Sequence, residues 1–110
     1  MTVTALPIVQ SKYIEAANTV QFTAIALTVI DAATVVNTSA ASVSISISIV
    51  ESGGVLSGGS LSIDSRTLQA GETYQCPELV GQVLAVGDYV SAVASAATSA
   101  NIRISGREIT

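Results

Sequence analysis

Histidine and tryptophan are absent from this 110-residue sequence, and cysteine, phenylalanine and methionine occur once each. Without histidine the chain lacks the commonest general base and the commonest metal ligand together. The lone Cys76 can form neither an internal disulfide nor a thiolate zinc cluster, and its expected role is a small buried hydrophobe held extended by Pro77. No Gly-x-Ser-x-Gly elbow and no Gly-x-x-x-x-Gly-Lys phosphate loop occurs. Ser52-Gly53-Gly54 and Ser57-Gly58-Gly59 are glycine-rich, but no lysine stands near them to meet a phosphate, so they read as loops.

Charge is scarce as well. Charged residues make 11% of the chain, against about 25% in an ordinary soluble domain. Four basic side chains and a net charge of −4 leave too few cations to displace counterions from a nucleic acid. The eight carboxylates, Glu15, Asp31, Glu51, Asp64, Glu72, Glu78, Asp88 and Glu108, are scattered singly. Two carboxylates suffice for a glycosidase, but such a site also wants aromatic walls, and Phe22, Tyr13, Tyr74 and Tyr89 are few. Asp64, Glu72 and Asp88 are the loop carboxylates that could meet calcium, yet no ligand-dense loop surrounds them. The expectation is a protein that is not an enzyme and carries no cofactor and no metal. Long apolar runs are missing too. Val20 to Val36 is the longest, and Gln21, Thr23, Thr28, Asp31 and Thr34 interrupt it, short of the roughly 20 residues a membrane span needs. No basic stretch followed by an apolar one opens the sequence, so no signal peptide is expected and Asn37-Thr38-Ser39 reads as a turn rather than a glycosylation site.

What the chain does have is β-branched. It contains 14 Val, 11 Ile and 11 Thr, alongside 16 Ala and only 7 Leu. Such side chains suit a pleated, half-buried surface. The clearest period is Ser42-Val43-Ser44-Ile45-Ser46-Ile47-Ser48-Ile49, which puts Val43, Ile45, Ile47 and Ile49 on the core face and four serines on the other. Breaks at Asn37–Ser39, Gly53-Gly54, Gly58-Gly59, Ala70-Gly71, Pro77, Val86–Asp88 and Ala96–Ser99 separate candidate strands. These are Thr2–Val9, Val20–Val36 (two strands, or one bent near Asp31), Ser42–Glu51, Leu61–Leu68, Thr73–Cys76, Tyr89–Ser95 and Asn101–Ile109. Residues 1–110 are therefore expected to form a single all-β domain, a two-sheet β-sandwich or jelly-roll-like fold of seven to eight antiparallel strands. Pro77–Gly81 is the one place for a helical turn. Leu68-Gln-Ala-Gly-Glu72 and Leu84-Ala-Val-Gly-Asp88 share a pattern best explained by one turn used twice.

Four small neutral hydroxyls in a row suggest a surface that another protein approaches closely. Ser42, Ser44, Ser46 and Ser48 are candidate subunit-interface residues, and on a free monomer a lysine at mid-strand Ser46 should reach water at a cost of no more than about 0.5 kcal/mol. Arg103 and Arg107 in the last strand are candidates for a charged anchor, the alternative being a solvated strand end with an Arg–Glu pair. The Ser-Ile repeat must be covered, since an open edge of that composition templates aggregation.

Several segments in order resemble a family of small virion structural proteins of tailed bacteriophages. They are Thr34-Val35-Val36-Asn37-Thr38-Ser39, Ser52-Gly53-Gly54, Ala70-Gly71-Glu72-Thr73-Tyr74, Pro77-Glu78-Leu79-Val80-Gly81-Gln82-Val83-Leu84, Gly87-Asp88, Ala94-Ser95-Ala96-Ala97 and Ile104-Ser105-Gly106-Arg107-Glu108-Ile109-Thr110. The resemblance covers about residues 20–110 and implies a non-enzymatic subunit present in multiple copies. It leaves open whether those copies sit on the capsid, at the neck or on fibres; the main expectation is a head-decoration (cement) or neck protein, made in the bacterial host cytoplasm and located in the virion. The implied partners are further copies of itself and other phage structural proteins such as capsid or neck subunits, with no nucleic acid and no membrane. A tail-fibre or baseplate-associated module is the alternative within that class; a carbohydrate- or host-surface-binding β-sandwich is the alternative outside it. Exposed aromatics in a concave groove would favour the binder.

Overall fold

A computed structural model describes residues 1–55 and 61–110, Leu61 by its backbone alone; Ser57-Gly58-Gly59 lies outside the described residues. Among the described residues there is no helix. The strands are β1 (Val3–Tyr13), β2 (Thr19–Thr23), β3 (Leu27–Asn37), β4 (Val43–Val50), β5 (Leu61–Leu68), β6 (Thr73–Tyr74), β7 (Val83–Leu84), β8 (Tyr89–Ala94) and β9 (Ala100–Ile109). They form two antiparallel sheets: β1-β9-β3-β6, with β7 also on the β3 edge, and β2-β8-β4-β5.

The pairings are nested. Counting β6 and β7 as one interrupted strand on the edge of β3, the first strand pairs with the last, the second with the one before it, and so inward to β4 with β5. That order is a jelly roll, a two-sheet sandwich of eight strand positions. It places the Ser-Ile strand β4 between β8 and β5, so both its edges are paired. The core lies between the sheets and draws on both: Ile30, Val35, Ile102 and Ile104 from one, Val43, Ile45, Ile47, Val90 and Ala92 from the other. Each is buried because strand residues two apart share a face.

The long apolar run from Val20 divides at Ala24–Ala26 into β2 and β3, and β3 then kinks, its register with β9 slipping between Ile30 and Ala32. Asp31 is thus a bulge residue as well as a marker of the bend. β1 is longer than the sequence suggests, because register shifts after Pro7 and after Val9 break its period while the pairing with β9 runs on to Tyr13. Pro77–Gly81 forms consecutive turns rather than a helical turn, with Leu79 N–H donating to Cys76 C=O at 3.0 Å. Cys76 is buried as expected but is not extended: its φ is 46°. The preference for extended backbone before proline is statistical, and here the chain must leave β6 sharply while the thiol stays in the core. Burial pushes that thiol up to about 12, so it is unreactive at neutral pH.

The paired Leu-x-x-Gly-acid segments are one turn used twice. Glu72 N–H donates to Gln69 C=O at 3.0 Å and Asp88 N–H to Ala85 C=O at 3.0 Å. Gly71 and Gly87, with φ of 77° and 94°, occupy the position that needs a left-handed backbone. The acid then closes each turn, Glu72 Oε1 accepting from Gln69 N–H and Asp88 Oδ2 from Ala85 N–H.

Asn37, at the end of β3, is fully buried. Its Nδ2 donates to the carbonyls of Ala41 (2.8 Å), Leu68 (3.1 Å) and Gln69 (3.1 Å), while Oδ1 accepts from Ser39 N–H (3.0 Å) and Ser39 Oγ (2.7 Å). Replacing it with alanine strands several of these groups without partners. Asn37→Ala should lower stability by about 3 kcal/mol in urea unfolding, and Asn37→Asp, which sets an anion against three carbonyl oxygens, should do no better.

Candidate interaction surfaces

The serine face of β4 is not uniform. Ser42 is exposed and donates to Gln69 Oε1 at 3.2 Å, and Ser44 and Ser46 are half-buried. Ser48 is 2% exposed. It stands opposite Ser91, itself 3% exposed, and is flanked on the same face by Val50 and Tyr89. Ser48 is therefore covered within the folded chain itself: alternation fixes which face a side chain takes, and a short side chain among taller neighbours on that face ends up buried. The other half of the pattern also changes at this end. Ile49 points to the core side but is only partly buried, whereas Val50, on the outer face, is 2% exposed.

Ser44 and Ser46 join Ala16, Ser65, Val93, Ala94 and Ser95 around a shallow depression of about 290 Å³ on the outside of the four-stranded sheet, with no charged residue in its lining. A bulge in β5 builds one wall. Ser65, at φ 47°, turns its N–H onto Ser46 Oγ at 2.9 Å. Ser46 is thus part of the bulge, and a lysine there would cost more than the expected half kilocalorie because the Ser65 N–H loses its acceptor. Ser46→Lys should destabilise the monomer by about 1–2 kcal/mol in urea unfolding, while Ser46→Thr, which keeps the oxygen, should cost less than half of that.

Next to Ala16, Glu15 binds Lys12 Nζ (2.8 Å) and Gln21 Nε2 (3.0 Å). The Gln21 amide first, then the Lys12 ammonium, hold the Glu15 carboxyl down to about 2. A carboxyl held below its ordinary range adds stability that is complete above about pH 4.5 and is lost as pH falls toward 2. With the side chain 40% exposed, solvent screening limits this to about 1 kcal/mol. Glu15→Gln should therefore lie about 1 kcal/mol below the unsubstituted protein at pH 7, and the gap should shrink by at least half by pH 2.

Arg103 and Arg107 lie on the other side of the molecule. Ile102, Ile104 and Gly106 point inward from β9, so Arg103 and Arg107, each next to one of them in sequence, face outward from the five-stranded sheet. The serine face and the arginines do not combine into one surface. Arg107 Nε contacts both Asp31 oxygens at 3.1 and 3.0 Å, so its acidic partner comes from the β3 bulge rather than from Glu108. Asp64, Glu72 and Asp88 stay apart, each bonded within or beside its own turn or bulge, and among the described residues no cluster of three potential metal ligands occurs.

A second shallow depression, about 300 Å³, lies where β3 has no strand partner between β7 and β6, lined by Asp31, Ala32, Ala33, Thr34, Gln75 and Val80. Neither depression contains an aromatic side chain. The remaining tyrosine chemistry is structural. Tyr74 Oη donates to both Glu78 oxygens (2.5 and 2.7 Å) and its ring lies 4.1 Å from the Arg66 guanidinium, bridging β5 of one sheet and β6 of the other. The shared proton pushes Tyr74 up and Glu78 down from their ordinary ranges.

One feature escaped the sequence reading. Exposed apolar side chains, with the partly buried Ile109 and Val29 between them, gather at the end of the molecule where β3 begins. Val3, Ile109 and Leu27 are direct cross-strand neighbours, and Val29 with Val83 occupies the next position on the same outer face. Beside them, the β2–β3 and β7–β8 loops are bonded together, Ala24 N–H to Asp88 C=O and Gly87 N–H to Ala24 C=O, both at 2.8 Å. Their tips are Ile25, 80% exposed, and Val86, 65% exposed. The signal was an isoleucine and a valine at turn apices, where polar residues are usual. No protein-family model, curated protein or solved structure gives a significant match to the chain.

Proposed function

We propose that this protein is a non-enzymatic structural subunit of a bacteriophage particle, a head-decoration or neck protein that is present in multiple copies and packs against capsid or neck subunits. The observation that carries the proposal is the apolar end: Ile25 and Val86 at the loop tips, with Val3, Leu27 and Val83 beside them, all at least 41% exposed. Large contiguous apolar patches are rare on proteins that act alone, and a group of exposed apolar side chains at one end of the molecule supports a contact with another protein there. The scarcity of charge supports the same reading, as does jelly-roll connectivity, which capsid proteins use often but which lectins share. The bacteriophage setting itself rests on the resemblance of the ordered segments between residues 20 and 110.

Quantitative mass spectrometry of purified particles should find the protein at a fixed, multi-copy ratio to the major capsid subunit. Ile25→Asp and Val86→Asp, at exposed loop tips, should each change stability by no more than about 0.5 kcal/mol yet sharply lower that ratio. A protein found only in the soluble fraction of the lysate would refute the virion assignment.

A further inference from the structure

Every sheet edge among the described residues carries a device against pairing, and on one edge, β1, that protection leaves a stretch of strand open. β2 has five residues and a register shift; β5 has two shifts and the charged Asp64 and Arg66; β6 and β7 are two residues each and interrupted. Short, bulged or charged edges are the usual protection. On the remaining edge, β1, the second half is broken by register shifts, and Pro7 closes the first half. Met1–Leu6 is left with no charged side chain and no proline, and Val3, Thr4 and Ala5 are exposed.

The direction of the backbone groups follows from the ladder. Thr2 and Thr110 exchange both bonds, Thr2 N–H to Thr110 C=O at 2.7 Å and Thr110 N–H to Thr2 C=O at 2.8 Å. Register is unbroken from Val3↔Ile109 to Pro7↔Ser105. Bonding alternates along an antiparallel strand, so Thr2, Thr4 and Leu6 bond to β9 while Val3 and Ala5 aim N–H and C=O away from the sheet. Pro7 falls in the same outward phase, where its missing N–H costs nothing in the monomer and ends the usable strip.

We propose that this strip pairs antiparallel with the same strip of a second copy, about a two-fold axis at Thr4. That register sets Val3 opposite Ala5 of the other copy and Ala5 opposite its Val3, making four N–H···O bonds and joining the two five-stranded sheets edge to edge. The occupant is a second copy because the strip is self-complementary: one axis matches every outward donor with an outward acceptor, and no sequence other than this one is required. It is an isologous contact, closed at two. Four backbone bonds and the Val3 side chains make a small interface, well under the roughly 1,200 Å² of a stable complex, so free protein associates weakly and copies already held on a particle associate readily. The inference rests on the multi-copy reading, but its test does not need a particle.

Sedimentation velocity over a wide concentration range should show the full chain moving reversibly from monomer toward dimer. Ala5→Pro removes an outward N–H without touching the bonds to β9, so it should keep the monomer's unfolding profile and lose the dimer. Thr4→Cys supplies a positive readout. Residue 4 meets its own counterpart at a non-hydrogen-bonded site, where Cα atoms stand about 4.5 Å apart, within disulfide reach. Mild oxidation should cross-link Thr4→Cys into a covalent dimer and leave an exposed control, Ser11→Cys, largely monomeric; the native Cys76 is buried and does not compete. A chain that stays monomeric at every concentration with no preferential cross-link at residue 4 would overturn the proposal. So would a dimer that Ala5→Pro leaves intact, which would point to the apolar end instead. Absence from particles with dimerisation intact would count against the virion reading alone.

Discussion

The buried side chain of Asn37 fastens the two sheets at one end of the sandwich. Its backbone N–H and C=O bond to Glu72 and Gly71, holding β3 against the start of β6. Its amide reaches across to the carbonyls at the end of β5 and shapes the turn into β4. The turn after β5, the turn before β4 and the edge of the five-stranded sheet therefore share one residue. Such a hub favours a single geometry, because each group would be unpaired and buried if the others moved. The Tyr74–Glu78–Arg66 stack is a lesser tie between the same two sheets, more exposed and correspondingly weaker.

The fold class was legible because the sequence is consistent at short range. The Ser-Ile strand, the two Leu-x-x-Gly-acid turns and the break after Val36 each announce themselves within ten residues. What resisted reading depends on distant partners. β7 has two residues and exists because Thr28 and Val29 of β3 offer an edge. The last third of β1 is hidden by bulges that only pairing with β9 reveals. Ser48 and Ile49 show the limit of a period: it sorts residues between faces and says nothing about how deep each face lies at a given point. That the serines and the arginines stand on opposite outer faces is a property of the sandwich, which no local pattern records.

Fold and site carry different weight for function. A jelly roll is a scaffold with many uses, so what distinguishes this one lies on its surface: little charge and, among the described residues, two shallow depressions without aromatics and apolar loop tips.

The nested strand order has a bearing on synthesis. β9 is an inner strand of one sheet, between β1 and β3, and β8 is an inner strand of the other, between β2 and β4. Each partner separation along the chain is longer than the one nested within it, from β4–β5 to β1–β9, and the entropic cost of closing the loop rises in the same order. A nascent chain emerging from the ribosome can zip the innermost hairpin early, but β1 and β2 have no partner until the final quarter of the sequence has been translated. Through that interval the apolar strand beginning at Val3 is exposed, and the charge-poor composition offers little to keep one unfinished chain away from another. Slow translation and fast elongation would then give different yields of the same folded chain.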